Sequence, residues 1–252
     1  MMPLEESRGF LPQFERIGPE VLKKAKVLYV NYPNNPTGAV ATRAFYEKLV
    51  SWAASHKILV ASDLAYSEVY FGKEKPLSIF EVPGARDVAI EFHSLSKTCN
   101  MTGWRIGFAV GRAELISALL RVKSNVDSGV FTAVQVTAIE ALKNSFGFCK
   151  KANLLYRRRR DLLVAGLKDL GFPVVPNPAT FYVFTRLPGG LGDSTRFCKS
   201  LLETTGIVAT PGVGFGQAGE GYVRFALTVS EPEIREALSR LKKAAGQPHH
   251  LS

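Results

Sequence analysis

Cysteine, tryptophan and long apolar runs are scarce in this chain of 252 residues, which has three cysteines and two tryptophans. Cys99, Cys149 and Cys198 are odd in number and far apart. That spacing fits neither a disulfide framework nor a metal site, so no metal is expected and a reducing, cytoplasmic setting is. No apolar run approaches the ~18 residues of a membrane span, so no membrane association is expected. The opening MMPLEESRGF carries two acids and no apolar core, and does not read as a signal peptide. Repeats and low-complexity segments are absent too. What is present is ordinary globular composition, 46% hydrophobic and 21% charged. At roughly 100–200 residues per domain, the length suits one large domain or two unequal ones.

The net charge of +10 invites a nucleic-acid reading. Half of it sits between Gly147 and Gly171, where seven basic residues face two acids. Within that segment Arg157, Arg158, Arg159 and Arg160 are consecutive. On a helix they step about 100° each and point all round the axis, so they cannot form one stripe along a phosphate backbone. A solvated helix with one or two arginines in packed contacts is the preferred expectation, with no nucleic-acid partner.

Lys26–Asn31 is β-rich and runs into a Pro/Asn/Gly loop. Thr42 is a plausible N-cap for a helix whose Phe45, Leu49 and Trp52 share a face. Short strands follow at Ile58–Ala61, Val88–Phe92 and Trp104–Val110, and helices at about 112–124, 131–144 and 149–170. This alternation predicts an α/β sheet with its chemistry at the strand ends. After Gly171 the pattern changes to strands at Phe172–Val175, Thr180–Thr185, Ile207–Ala209 and Tyr222–Val229, with a helix at about 194–205. A last helix starts at a capping box of Ser230 and Glu233, buries Ile234, Ala237, Leu238 and Leu241, and ends at Gly246. The expected division is a mainly parallel α/β domain over residues 1–147 and a smaller C-terminal α+β domain over 148–252.

Gly214, Gly216 and Gly219 fit G-x-G-x-x-G, but a β-rich segment follows where a dinucleotide site needs a helix, so a loop is the better reading. More informative are three segments at strand ends: Asn34-Asn35-Pro36-Thr37-Gly38, Ser62-Asp63-Leu64-Ala65-Tyr66 and His93-Ser94-Leu95-Ser96-Lys97-Thr98. In a parallel sheet the carboxyl ends of the strands share one rim, so these three can converge on one crevice. Arg105 lies eight residues after Lys97, and Arg224 lies on the late strand, facing the same side as Tyr222 and Ala226. His93 and Trp104 read as packing residues or as supports behind the site residues.

NNPTG, then D-x-x-Y, then S-x-S-K with a following arginine, then a late Y-x-R, together resemble the fold-type I, class I/II aminotransferases. The resemblance runs along nearly the whole chain. NYPNNPTGAVATR, AYSEVYF, EFHSLSKTCNMTGWRIGFAVG, RVKSNVDSGVF and YRRRRDLL are similar to the bacterial LL-diaminopimelate aminotransferase branch. The resemblance implies the aspartate aminotransferase fold, pyridoxal 5'-phosphate as cofactor, small amino-acid and 2-oxo-acid substrates, and a homodimer. It implies that Lys97 is the catalytic amine and that Asp63 keeps the cofactor's ring nitrogen protonated. By the same resemblance Tyr66 and Asn35 bond the cofactor's phenolic oxygen. Ser94, Ser96 and Arg105 hold its phosphate. Arg224, with Asn35, grips the substrate carboxylate. Diaminopimelate is the expected amino donor; another amino acid, or an inactive fragment, are the alternatives. Family members carry a long further stretch ahead of the position of Met1, with a phosphate-binding loop, an aromatic on the cofactor ring and several strands. The chain is therefore expected to match the C-terminal two-thirds of such an enzyme, to expose a sheet edge, and to be weakly active or inactive by itself.

Overall fold

The computed structural model describes residues 2–190 and 193–245. Eight helices and seven strands occur among them: α1 Pro19–Leu22, β1 Val27–Asn31, α2 Arg43–His56, β2 Leu59–Asp63, α3 Ala85–Val88, β3 Ala89–Ser94, α4 Leu95–Thr98, β4 Gly107–Gly111, α5 Ala113–Val126, α6 Thr132–Asp169, β5 Tyr182–Arg186, α7 Ser194–Thr205, β6 Thr210–Pro211, β7 Tyr222–Ala226 and α8 Glu231–Ala245.

The first sheet has the order β1-β2-β3-β4, parallel across the first three strands and antiparallel at β4. Parallel neighbours need a crossover, and α2 supplies it between β1 and β2. Thr42 caps α2 by accepting from the Phe45 amide at 3.1 Å. Tyr46, Leu49 and Ala53 on α2 are buried against Val30 of β1 and Val60 of β2, and Phe14 and Ile79 complete this core. Residues 27, 29 and 31 of β1 point to the opposite face, as strand alternation requires. β4 begins at Gly107, later than predicted, because Thr102–Trp104 form a 3-10 turn and Arg105 takes a left-handed φ of 52°. β1 and β4 are the edges of this sheet among the described residues. Their apolar side chains are open to solvent: Val27 is 55% exposed and Tyr29 59% on one edge, Phe108 41% and Val110 37% on the other.

The second sheet is antiparallel, in the order β5-β7-β6. Its core joins Val183, Val223 and Phe225 to Leu163 and Leu167 of α6, Phe197 and Leu201 of α7, and Ile234 and Leu241 of α8. The reciprocal capping box opens α8: the Ser230 amide donates to Glu233 at 2.7 Å and the Glu233 amide to the Ser230 hydroxyl at 3.4 Å. Gly246, the predicted stop, lies outside the described residues.

Two predicted helices merge into one. α6 runs unbroken through Gly147, since a single helical glycine costs only about 1 kcal/mol and the flanking turns outweigh it. Phe172–Val175 makes only an isolated bridge, Val174 to Thr185, because Pro173 and Pro176 have no amide to donate. Ile207–Ala209 lies outside the strands; β6 is the two residues after it. All four consecutive arginines of α6 have protein acceptors. Arg157 donates to the Phe71 carbonyl at 2.8 Å, Arg158 pairs with Glu231 at 3.1 Å, Arg159 reaches the Leu227 carbonyl at 3.0 Å and Arg160 the Asn177 carbonyl at 3.1 Å. Pointing all round the helix, they tie it to four different segments. Among the described residues no helix is long and apolar enough to cross a membrane.

Candidate active site

The rim at the carboxyl ends of β1, β2 and β3 carries the three segments that the sequence singles out. Register fixes this, because Asn31 pairs with Asp63 and Asp63 with Phe92. The turn after β1 is braced internally: the Asn31 side chain accepts from the Asn35 amide at 3.0 Å, and Thr37 donates to the Asn34 side chain at 2.7 Å. Gly38 has a φ of +74° and lies so close to Asn177 that any Cβ would collide with its amide. That contact draws the NNPTG turn against the chain leading to β5.

Asp63 ends β2. Its Oδ1 accepts from the Ala65 amide at 3.1 Å and its Oδ2 from the Tyr29 hydroxyl. A carboxylate offers about four acceptor positions, so capacity remains for a further cationic donor. Tyr66, in the turn after β2, is buried. Burial, and then the neighbouring Tyr182, hold its phenol far above the ordinary tyrosine value. At neutral pH it is therefore a hydrogen-bond donor. Lys97 lies on α4, capped by Ser94, whose hydroxyl accepts from the Ser96 amide at 3.3 Å. The Lys97 ammonium stands 5.6 Å from the centre of the Tyr66 ring. Ser96 is buried, and its carbonyl accepts from Thr102 at 3.1 Å. Arg105 is exposed, and its guanidinium donates to the Thr102 carbonyl at 3.0 Å. Backbone pairing of Ser94 with Gly107 brings that loop alongside α4.

Arg224 comes from the other sheet. It donates to the Asn35 side chain at 2.7 Å and to Thr210 at 3.2 Å. Its guanidinium lies 3.9 Å from the centre of the Tyr182 ring and 4.8 Å from that of Phe215. Burial lowers its pKa, against the raising influence of Tyr182 and Tyr66. Its Nε is buried without a partner, a donor held ready at a cost. Lys97, Tyr66, Tyr182, Arg224 and Asn35 thus form one chain of contacts, with Asp63 three residues from Tyr66. Cations, a carboxylate, a phenol and an amide gathered at one rim are groups able to hold an anionic aromatic group and an amino acid.

Sequence reasoning missed Tyr29, Tyr182, Thr210 and Phe215. Tyr182 had a usable signal: it alternates in phase with Phe184, which pairs with Arg224 across the sheet. Tyr29 and Phe215 had none, because their contacts join residues 34 and 9 positions apart in sequence through the fold. His93 is a packing residue, as expected. It stacks on Phe108 with ring centres 4.7 Å apart and bonds the buried Glu91 at 3.0 Å. Gly214 and Gly216 lie in or beside a 3-10 turn, and β7, not a helix, follows Gly219.

The family model for aminotransferase class I and II matches residues 2–241. The chain belongs to that family. Among curated relatives it is 50% identical over 241 residues to an LL-diaminopimelate aminotransferase of Nitratidesulfovibrio vulgaris, covering 95% of this chain and 62% of the relative. It is likewise 50% identical over 241 residues to one of Aquifex aeolicus, covering 96% and 62%. Among solved structures it is similar to substrate-bound BacF of Bacillus subtilis, with TM-score 0.93 and 39% identity, over 99% of this chain and 63% of that one. An aspartate aminotransferase double mutant of Thermus thermophilus aligns with TM-score 0.85 and 35% identity, over 96% and 63%. The aminotransferase fold expected from the sequence is therefore the observed one. The chain spans about 62% of the length of the curated relatives it matches.

Proposed function

We propose that this chain carries cofactor- and substrate-binding machinery for pyridoxal-phosphate-dependent transamination, passing an amino group between LL-2,6-diaminopimelate and 2-oxoglutarate in lysine formation. The contact between Arg224 and Asn35, 2.7 Å long, carries the reading, because it brings the anion-binding arginine of one sheet to the rim of the other. Diaminopimelate is preferred as donor because the curated relatives bearing that name stand near 50% identity, above the 35% to the aspartate enzyme. A cytoplasmic homodimer built of units 1–147 and 148–252 belongs to the same proposal.

The residues present fit the cofactor. Lys97 offers an amine for the aldehyde, Asp63 a carboxylate with spare acceptor capacity for the ring nitrogen, and Tyr66 and Asn35 donors for the phenolic oxygen. Ser94, Ser96 and Arg105 offer hydroxyls and a guanidinium for the phosphate. When bound, pyridoxal phosphate supplies an electron sink for charge released at the amino acid's α-carbon. The Arg224 fork binds the α-carboxylate through two parallel donors. Its bonds to Asn35 and Thr210 and its aromatic shelf of Tyr182 and Phe215 hold the fork in place. Lys97 would hold its amine where it can act as the base toward the proton on the amino acid's α-carbon. A carboxylate at Asp63 would favour the protonated form of the cofactor's ring nitrogen.

Borohydride reduction of the purified chain with pyridoxal phosphate, followed by peptide mapping, tests this. The label is expected on Lys97 and lost in Lys97→Ala. A label at another residue, or none, would refute the proposal.

A further inference from the structure

Asp63 receives one donor from its own turn and one from another strand. The second is Tyr29, two residues before the end of β1. The face of β1 that bears Tyr29 and Asn31 is continuous with the face of β2 that bears Asp63, because Tyr29 pairs with Ala61 and Asn31 with Asp63. From there the phenol reaches diagonally across one strand, and its hydroxyl donates to Asp63 Oδ2. The Ala65 amide occupies Oδ1 at 3.1 Å. With both oxygens held, the carboxylate cannot turn about its last bond without breaking one of these bonds. The backbone is also fixed, since the Asp63 carbonyl accepts from the Asn31 side chain at 3.1 Å and from the Tyr32 amide at 3.2 Å. Tyr29 has no comparable packing role, with 59% of its surface exposed. Its hydroxyl nevertheless points to the one acid of the site.

We propose that Tyr29 is a positioning residue: its hydroxyl holds the Asp63 carboxylate in one orientation for the cofactor's ring nitrogen. This rests on the cofactor reading above and adds to it a residue that touches neither cofactor nor substrate. In agreement, burial and then Asp63 raise the Tyr29 phenol above the ordinary tyrosine value.

The test uses Tyr29→Phe, which removes the hydroxyl and keeps the ring, beside Asp63→Asn. In the cofactor-free chain, carbon NMR of ring-labelled tyrosine identifies Tyr29 by the signal that Tyr29→Phe loses. That signal is expected to titrate above the usual value of about 10 and to move down in Asp63→Asn. Pyridoxal phosphate affinity, read by absorbance, is expected to fall about five- to tenfold in Tyr29→Phe. That is just below the range for a hydrogen bond to a charged group, because Tyr29 is open to solvent. The nitrogen NMR signal of ring-labelled cofactor is expected to move toward its unprotonated position, which a merely structural change would not produce. The thermal midpoint of Tyr29→Phe should match that of the unsubstituted chain.

If Tyr29→Phe binds cofactor with unchanged affinity and ring-nitrogen signal, the role of Tyr29 falls and the cofactor reading stands. An unchanged Tyr29 titration in Asp63→Asn also overturns it. If the unsubstituted chain shows no Lys97-dependent cofactor band, the cofactor reading fails and the Tyr29 role fails with it.

Discussion

Replacing Glu91 by alanine should destabilise the chain by about 2–4 kcal/mol, and the structure says why. Glu91 is an acid in the middle of β3 with 1% of its surface exposed. Its Oε1 accepts from the Ser78 hydroxyl at 2.8 Å and bonds His93 Nε2 at 3.0 Å, and its Oε2 accepts from the Ile79 amide at 3.0 Å. Alanine strands all three. The Ile79 amide suffers most, because Ile79 is wholly buried and water cannot reach it. A buried donor without a partner costs roughly 1–3 kcal/mol. Ser78 and His93 are partly open and can find water, so they add less. The lost methylenes of Glu91 bring the total into the stated range. Urea unfolding followed by far-ultraviolet circular dichroism measures this. With a slope of about 2 kcal/mol per molar urea, the midpoint should fall by about 1–2 M. Glu91→Gln keeps one acceptor oxygen but turns an NH2 toward a donor, so it should fall between. If Glu91→Ala unfolds within about 0.3 M of the unsubstituted chain, the buried acid is not a structural acceptor and the reasoning is wrong.

Arg224→Lys keeps the charge and loses the fork, so amino-acid affinity, followed through the cofactor absorbance, should drop at least about tenfold; an equal affinity would exclude two-point binding. Burial pushes the Cys198 thiol up to about 11. Its folded pKa is raised, so its contribution to stability is complete below the ordinary thiol value and lost as pH rises toward 11. Alkylation at pH 8 should accordingly spare Cys198 until urea unfolds the chain, as peptide mapping of the alkylated sites would report. Glu220 is lowered by hydrogen bonds from the Ser194 and Gly221 amides, so its stabilisation is present above the ordinary carboxylate range and disappears as pH falls through its folded value. Glu220→Gln should flatten the acid limb of a stability-versus-pH curve and leave its neutral part little changed in slope. Gly212→Ala should cost several kcal/mol in the same unfolding assay, because the added Cβ would collide with the Gly219 carbonyl and lie 2.7 Å from that of Tyr222.

Local signals carried much of the architecture. Thr42 and Ser230 cap the helices that the sequence assigns to them, and the alternation in Tyr222–Ala226 put Arg224 on the correct face. Strand ends were legible because the polar residues of Asn34–Gly38 and Ser62–Tyr66 interrupt apolar runs. Failures came where two effects compete. At Gly147 the flanking helix outweighs a weak breaker, and at Phe172–Val175 two prolines outweigh β-rich side chains. The remaining gaps are contacts between distant residues. No spacing rule links Tyr29 to Asp63, or Phe215 to Arg224, because only the folded register sets them side by side.

The two flanks of the first sheet have a practical consequence in solution. Among the described residues each is an unpaired strand edge, able to recruit an extended peptide, with valine, tyrosine and phenylalanine beside it. What opposes such templated stacking is mutual repulsion from the net charge of +10. Salt shortens the reach of that repulsion to about 10 Å at 0.1 M and leaves backbone pairing intact. Raising ionic strength should therefore drive purified chains to coalesce, as light scattering would reveal, so dilute, low-salt buffer is the condition that keeps them apart.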